Sequence, residues 1–291
     1  MAKTQRVSTF SIVACDPEAG ELGIAVASKF LSVGAVVPFA TAGVGAVATQ
    51  AYANTTFGPV ALAFMVEGYG AQSALNGILA ADEGRDERQV GVIDSSGESA
   101  TFTGSNCPDW SGGRSGLRYA AQGNILTGPE VVDSLAESFE ASSGILADRL
   151  LLALSAGQQA GGDSRGQQSA ALLVVREHGG YGGHNDRAID LRVDDHSRPI
   201  EELARLLEIH RLYFFDTRAE DVLPIDEDLT REIQAILRRS GRPASSGGYD
   251  DGTREAFRAL FGQENLENRW REGPQIDRVA LEYLRERFPA S

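Results

Sequence analysis

Thr9-Phe10-Ser11-Ile12-Val13-Ala14, then Asp16-Pro17-Glu18-Ala19-Gly20, then Leu22-Gly23-Ile24-Ala25-Val26-Ala27 is the stretch that decides the fold. The first and last runs are apolar and rich in β-formers, and the residues between them are turn-formers, so the segment predicts a β-hairpin. Two further runs, at 35–37 and 43–48, are also predicted as strands. All four are nearly free of charge, which is the pattern of strands covered on both faces, so the sheet they build must be sandwiched.

Outward from the hairpin, apolar residues recur at spacings of three and four through Leu62, Met65 and Val66, then Ala74, Leu75, Ile78 and Leu79, with a break at Gly68-Tyr69-Gly70. That periodicity predicts two helices. A second hairpin is expected from 89–94 and 99–102, flanking Ser95-Ser96-Gly97. Helices are expected again at 129–142 and 145–156, with Pro129 at the first helical position, and a buried strand at 170–176.

Near residue 200 the composition changes: 33 charged residues fall in the last 92, against 35 in the first 199, and 27 of the 33 glycines lie before that point. Two domains follow from this, the first strand-rich and the second helical. Helix 200–215 is amphipathic through Leu203, Leu206 and Leu207. Beyond it 228–239, 253–261 and 276–288 form a three-helix module with a loop at 245–248. Glu201-Glu202 and Asp226-Glu227-Asp228 fit first helical turns, where negative charge complements the helix dipole.

The chain has 291 residues, 27 Lys plus Arg against 41 Asp plus Glu, and a net charge of −14, which speaks against nucleic acid as a partner. No apolar run reaches the ~18 residues of a membrane helix. The apolar stretch 10–14 is shorter than the ~7–15 residues of an export signal and ends at Asp16, so the expected compartment is cytoplasmic. Cys15 and Cys107 lack zinc-like spacing and read as small buried hydrophobes. His178, His184, His196 and His210 are dispersed, and Asp194-Asp195-His196 points its side chains in different directions, so neither a metal nor another cofactor is expected.

As a set, Thr9-Phe10-Ser11-Ile12, 23–28, 45–50, Arg88-Gln89-Val90, Gln122-Gly123-Asn124, 160–166 and 192–196 resemble an uncharacterised bacterial family known as domain of unknown function ten twenty-eight. The resemblance covers about residues 8–211. It implies an α+β fold, a four-layer αββα sandwich of the Ntn-hydrolase-like kind, over domain 1–211. The remainder, 212–291, with Asp251-Gly252-Thr253-Arg254-Glu255-Ala256-Phe257 and Trp270, resembles the peptidoglycan-binding helical domain that often follows this family. An element order of strands, two helices, strands, two helices, strands agrees with such a sandwich.

In enzymes of that fold the nucleophile is the Thr, Ser or Cys that self-cleavage leaves at the start of a strand, and its own α-amine serves as base. Thr9 occupies the matching place. An α-amine with a pKa near ~8 accepts the hydroxyl proton without a histidine. Residues 1–8 would have to leave first, so Thr9 is open to two readings: catalytic nucleophile or ordinary strand-start threonine. The place of an orienting residue late in the second strand holds Ser28 followed by Lys29. Thr49 and Gln50, where an apolar strand ends, either line a pocket and donate to an oxyanion or cap the strand. Asn124 donates its amide to a developing negative charge or belongs to a Gly-Asn turn. Asp163 and Arg165, between glycines, either clamp a substrate carboxylate bidentately or lock their own loop.

These residues lead to an amide-bond hydrolase acting on a small amide or peptide, or to a non-catalytic ligand-binding protein on the same fold. The C-terminal domain adds muropeptides as a candidate ligand. The cluster Leu212-Tyr213-Phe214-Phe215 must be buried, either by the C-terminal helices or by a second subunit, and a homodimer with Tyr213 and Phe214 near its interface is expected.

Overall fold

The computed structural model describes residues 9–245 and 247–290. Its first strands, β1 (Thr9–Asp16) and β2 (Glu21–Ser28), pair antiparallel with Thr9 opposite Ser28. The turn is set locally: Asp16 Oδ1 accepts the N–H groups of Glu18 and Ala19 at 3.1 and 3.2 Å, and Gly20 takes a φ of +66°. The strand expected at 35–37 is not formed. Val33–Ala35 is a 3-10 turn, with the Val33 N–H donated to Ser169 Oγ, and the strand β3 follows at Pro38–Thr41. Val33 and Val37 still reach the core, from a turn instead of a ladder.

Next come β4 (Gly45–Ala51), helices α1 (Phe57–Val66) and α2 (Ala71–Ala80), and the second predicted hairpin, β5 (Arg88–Asp94) with β6 (Ser99–Thr103). Strands β3-β4-β5-β6 form one antiparallel sheet. Then follow β7 (Gly112–Gly116), β8 (Tyr119–Asn124), helices α3 (Glu130–Ala141) and α4 (Leu146–Gln159), β9 (Ser169–Val175) and β10 (Arg187–Val193). The larger sheet has the order β10-β9-β2-β1-β8-β7. β7, which has no apolar side chain, carries no strand signature of its own, whereas β10 alternates Ile189, Leu191 and Val193 with Asp190 and Arg192, the pattern of a half-solvated strand that the sequence reading passed over. Both are edge strands, held by ladder bonds to β8 and β9.

The two sheets pack face to face. Val13, Ile24, Val26 and Leu173 from the larger share one core with Ala46, Ala48 and Ile93 from the smaller. Phe57, Ala61, Leu75 and Ile78 of α1 and α2 cover the other face of the smaller sheet at Val47, Val90 and Val92. Helices α3 and α4 cover the far face of the larger one. There Gly23 is needed for close approach, because a Cβ on it would lie 2.6 Å from Leu150 Cδ1. The order of layers is therefore helix, sheet, sheet, helix.

The chain divides after Leu206. Helix α5 (Pro199–Phe214) is followed by β11 (Val222–Pro224), α6 (Glu227–Arg239), α7 (Asp251–Gln263), β12 (Gln275–Asp277) and α8 (Arg278–Arg287). Three aspartates cap helix starts: Asp226, Asp250 and Asp277 accept the N–H groups of Leu229, Thr253 and Ala280 at 2.8, 2.8 and 2.9 Å. The last helix begins at Arg278 and not at 276, because Ile276 is spent on a ladder with Leu223. The core of this unit joins Ile233, Leu237, Phe257, Phe261 and Leu284 to Leu212, with Tyr213 packed at its edge. Two residues of the apolar cluster are thus covered within the chain, while Phe214 stays 57% exposed. Arg269 and Asp277 form a buried ion pair at 2.9 Å, and Arg269 also donates to the Leu212 and Arg211 carbonyls at 2.6 Å each, tying down the end of α5.

Candidate functional site

Alternate residues of each strand face the opposing sheet, and along every one of the central strands those residues turn from apolar to polar at the same end. On β1 the inward residues are Cys15, Val13, Ser11 and Thr9; on β2 they are Leu22, Ile24, Val26 and Ser28. Strands β8 and β9 repeat the gradient, ending at Gln122 with Asn124 and at Ser169. Ala46 and Ala48 on β4 lead to Gln50, and Ile93 on β5 to Gln89. All these polar side chains are buried.

Buried polar groups must be paired, and here all but Ser169 find partners within the cluster. Ser11 Oγ donates to Gln50 Oε1 at 2.6 Å and accepts from Gln122 Nε2 at 2.7 Å. Gln50 Nε2 donates to Gln89 Oε1 at 2.8 Å and to the Thr9 carbonyl at 3.3 Å. Gln89 Oε1 also accepts from Asn124 Nδ2 at 2.9 Å, and its Nε2 donates to Thr103 Oγ1, Gly112 O and Gly123 O at 2.9, 3.1 and 2.7 Å. Gly91 lies under this network, since a Cβ there would come within 2.2 Å of Gln122 Oε1.

Thr9 sits at the rim of the polar end. Its ladder partners are Ser28 on β2 and Asn124 on β8, and its Oγ1 donates to Ser28 Oγ at 3.3 Å. Lys29 continues the chain from Ser28. The loop after α4 folds onto it: Asp163 Oδ2 accepts the Lys29 N–H at 2.9 Å, and Arg165 Nη2 donates to the Lys29 carbonyl at 3.1 Å. Asp163 also takes the Arg165 N–H and Nε at 3.0 and 3.2 Å through Oδ1, and Nη2 at 3.1 Å through Oδ2. The Asp163–Arg165 pair therefore locks the loop to the end of β2.

Of the residues singled out in the sequence, Thr9, Ser28, Lys29, Gln50, Asn124, Asp163 and Arg165 are brought together at this end of the first unit. Thr49 is not among them. One residue from Gln50, it faces the helical layer and donates its Oγ1 to the Asn54 carbonyl at 3.3 Å. Ser11, Gln89 and Gln122, which the sequence offered only as parts of the motifs that carry the resemblance and without a role, complete the network, while Ser169 stands beside it, its Oγ accepting the Val33 N–H and donating to the Phe30 carbonyl. Taken singly, the signal each gave was a polar side chain among the apolar residues of a strand. Burial pushes the Cys15 thiol up to about 11, which suits its place in the apolar half of the core. The His196 ring accepts the Arg198 N–H at 3.1 Å, a local turn contact, and among the described residues no group of three or more His, Cys, Asp or Glu is placed to hold a metal ion.

The family-model described as "Family of unknown function (DUF1028)" matches residues 9–203, and that described as "Putative peptidoglycan binding domain" matches residues 213–284. A crystal structure of a DUF1028 protein, SPO2555 from Silicibacter pomeroyi, is 34% identical in sequence and has a TM-score of 0.64, covering 70% of this chain and 86% of that one. No curated protein matches the sequence at a significant level. The first match takes in every strand of the sandwich and the whole polar end from Thr9 to Arg165: the chain belongs to the DUF1028 family of unknown function and carries a peptidoglycan-binding-like helical domain behind it.

Proposed function

We propose that the sandwich is of the Ntn-hydrolase kind and that domain 1–211 is an amide-bond hydrolase with Thr9 as nucleophile. One observation carries this: the polar ends of the central strands converge on a strand-start hydroxyl, with Ser28 and Asn124 as its ladder partners. In the full-length chain the Thr9 nitrogen is an amide and the side chain is buried, so activation has to come first. Thr9 Oγ1 attacks the Ser8 carbonyl, the acyl group moves from nitrogen to oxygen, and water hydrolyses the ester, freeing the α-amine. That amine then takes the Thr9 hydroxyl proton as Oγ1 attacks the scissile carbonyl. The Asn124 amide stabilises the oxyanion. The leaving amine takes the proton from the Thr9 α-ammonium, and water releases the acyl group. Ser28 orients the hydroxyl; Gln50 holds the Thr9 carbonyl; Lys29 and Arg165 bind substrate, and Asp163 holds the two in place.

Intact-mass measurement of fresh protein tests this. A species beginning at Thr9, absent from Thr9→Ala, together with hydrolysis of an N-acyl amide panel by the processed form alone, is expected. Turnover by a homogeneous full-length chain would refute the mechanism. The burial of Thr9 favours a second reading, a non-catalytic binding protein; absence of turnover with a thermal shift by one small acid would select it.

For domain 212–291 we propose binding of cell-wall fragments, supported by the peptidoglycan-binding-like match. No helix among the described residues is long and apolar enough to cross a membrane. A cytoplasmic site of action is proposed with it, where the ligands are soluble muropeptides. The exposed Phe214 ring supports a homodimer with that residue at its interface. Light scattering on the full chain and on Phe214→Asp checks it, and a ~31 kDa particle at micromolar concentration would refute it.

A further inference from the structure

The chain has twenty-five arginines and two lysines, Lys3 and Lys29, so Lys29 is the one lysine among the described residues. Its place is singular too. It follows Ser28, the ladder partner of Thr9. In a chain with acids in such excess an exposed cation ordinarily finds a carboxylate. Lys29 Nζ instead donates to the Gln167 carbonyl at 3.2 Å and forms no ion pair among the described residues. The nearest fixed carboxylate in its own contacts, Asp163, is already engaged by the Lys29 N–H and by three N–H groups of Arg165. Asp195, which reaches the same loop, is held by Gln168 Nε2 at 3.0 Å.

Arg165 supplies the second half. Its Nε and Nη2 edge is consumed by Asp163 and the Lys29 carbonyl, so the guanidinium cannot grip a ligand through that edge. Nη1 makes no hydrogen bond among the described residues, and the side chain is 40% exposed. Two cations, one carboxylate already held by Arg165 and the Lys29 N–H, an unspent Nη1 and an ammonium with a single carbonyl partner remain at the rim. That set matches one negative charge spread over two oxygens.

We propose that Lys29 Nζ and Arg165 Nη1 bind a substrate carboxylate between them, and that the amide cut at Thr9 belongs to a molecule with a free carboxylate near the scissile bond, such as an N-acyl amino acid. The assignment of the amide rests on the nucleophile reading above; the carboxylate site itself does not. A dianionic phosphate fits less well, since the net charge of the cluster is a single positive one.

The test is calorimetric titration of the full chain with N-acetyl-L-alanine and N-acetyl-D-alanine, each beside its carboxamide. Binding of at least one acid about tenfold tighter than its carboxamide is expected, weakening with added salt. Lys29→Gln should erase the preference with an unchanged melting curve, because the side chain is exposed and its one hydrogen bond among the described residues goes to the Gln167 carbonyl. Arg165→Gln should do the same but also loosen the loop. Equal affinity of acids and carboxamides, no binding of either acid at about 10 mM, on the weak side of the millimolar range, or an undiminished preference in Lys29→Gln would each overturn the proposal. Thr9→Ala separates the two ideas: carboxylate preference kept in Thr9→Ala, with no processing or turnover in the parent, would sink the nucleophile and leave the carboxylate site standing.

Discussion

Replacing Gln89 by leucine measures how much of the sandwich depends on its polar end. The side chain is fully buried and makes five hydrogen bonds, three through Nε2 and two through Oε1. Two N–H groups serve the three acceptors, so the five contacts count as about four full bonds. At about 1 kcal/mol net for each neutral bond, their loss costs ~4 kcal/mol. Leucine, of similar volume, returns about 1 kcal/mol in apolar transfer. The net loss is about 3 kcal/mol, a large share of the roughly 5–15 kcal/mol of an ordinary domain. Each unit contains one of the two tryptophans, Trp110 and Trp270. In a Trp270→Phe background, fluorescence during urea unfolding therefore reports the first unit alone, which avoids treating two units as one transition. With a slope of about 2 kcal/mol per molar, the midpoint should fall by about 1.5 M at unchanged slope. A fall of less than about 0.3 M would show that the neighbours re-pair among themselves, and that the network does not specify this end of the sandwich.

Arg269→Met strands the buried Asp277 carboxylate and should destabilise the helical unit by about 3–5 kcal/mol, while Arg269→Met with Asp277→Ser, which keeps a capping oxygen for α8, should recover more than half of that in thermal melts. Hydrogen bonds from Arg218 and then Arg278 hold the Asp221 carboxyl below the usual carboxylate range. A group whose folded pKa is depressed stabilises fully above its unfolded value of about 4, and this is lost as pH falls through the folded value. Melting of the helical unit should therefore drop below about pH 4 with a slope that Asp221→Asn flattens; parallel curves for the two proteins would refute the assignment. Asp163→Asn offers an N–H where the loop needs an acceptor, so hydrogen exchange at the Lys29 and Arg165 amides should quicken by about tenfold or more. Unchanged protection at both would mean that the carboxylate is not what ties the loop to β2.

Local chemistry was enough to determine much of this protein. The β1–β2 hairpin follows from a turn that Asp16 and Gly20 close by themselves, and its register already sets Thr9 opposite Ser28. The four helices of the first unit follow from spacings of three and four, as does the α-helical character of the second. Alternation also separates the faces of a strand, so Thr49 and Gln50 look in opposite directions, although only the packed layers showed which of the two meets the polar end. What the chain could not announce locally is what lies far apart in it. Asn124 stands beside Thr9 only because β8 pairs with β1, and Gln89 meets Asn124 only because two separate sheets pack face to face. β7 is a strand because its neighbour offers a ladder, not because its residues favour extension. A glutamine in an apolar strand is costly alone and stable when four others come to meet it, so its meaning is a property of the assembled core.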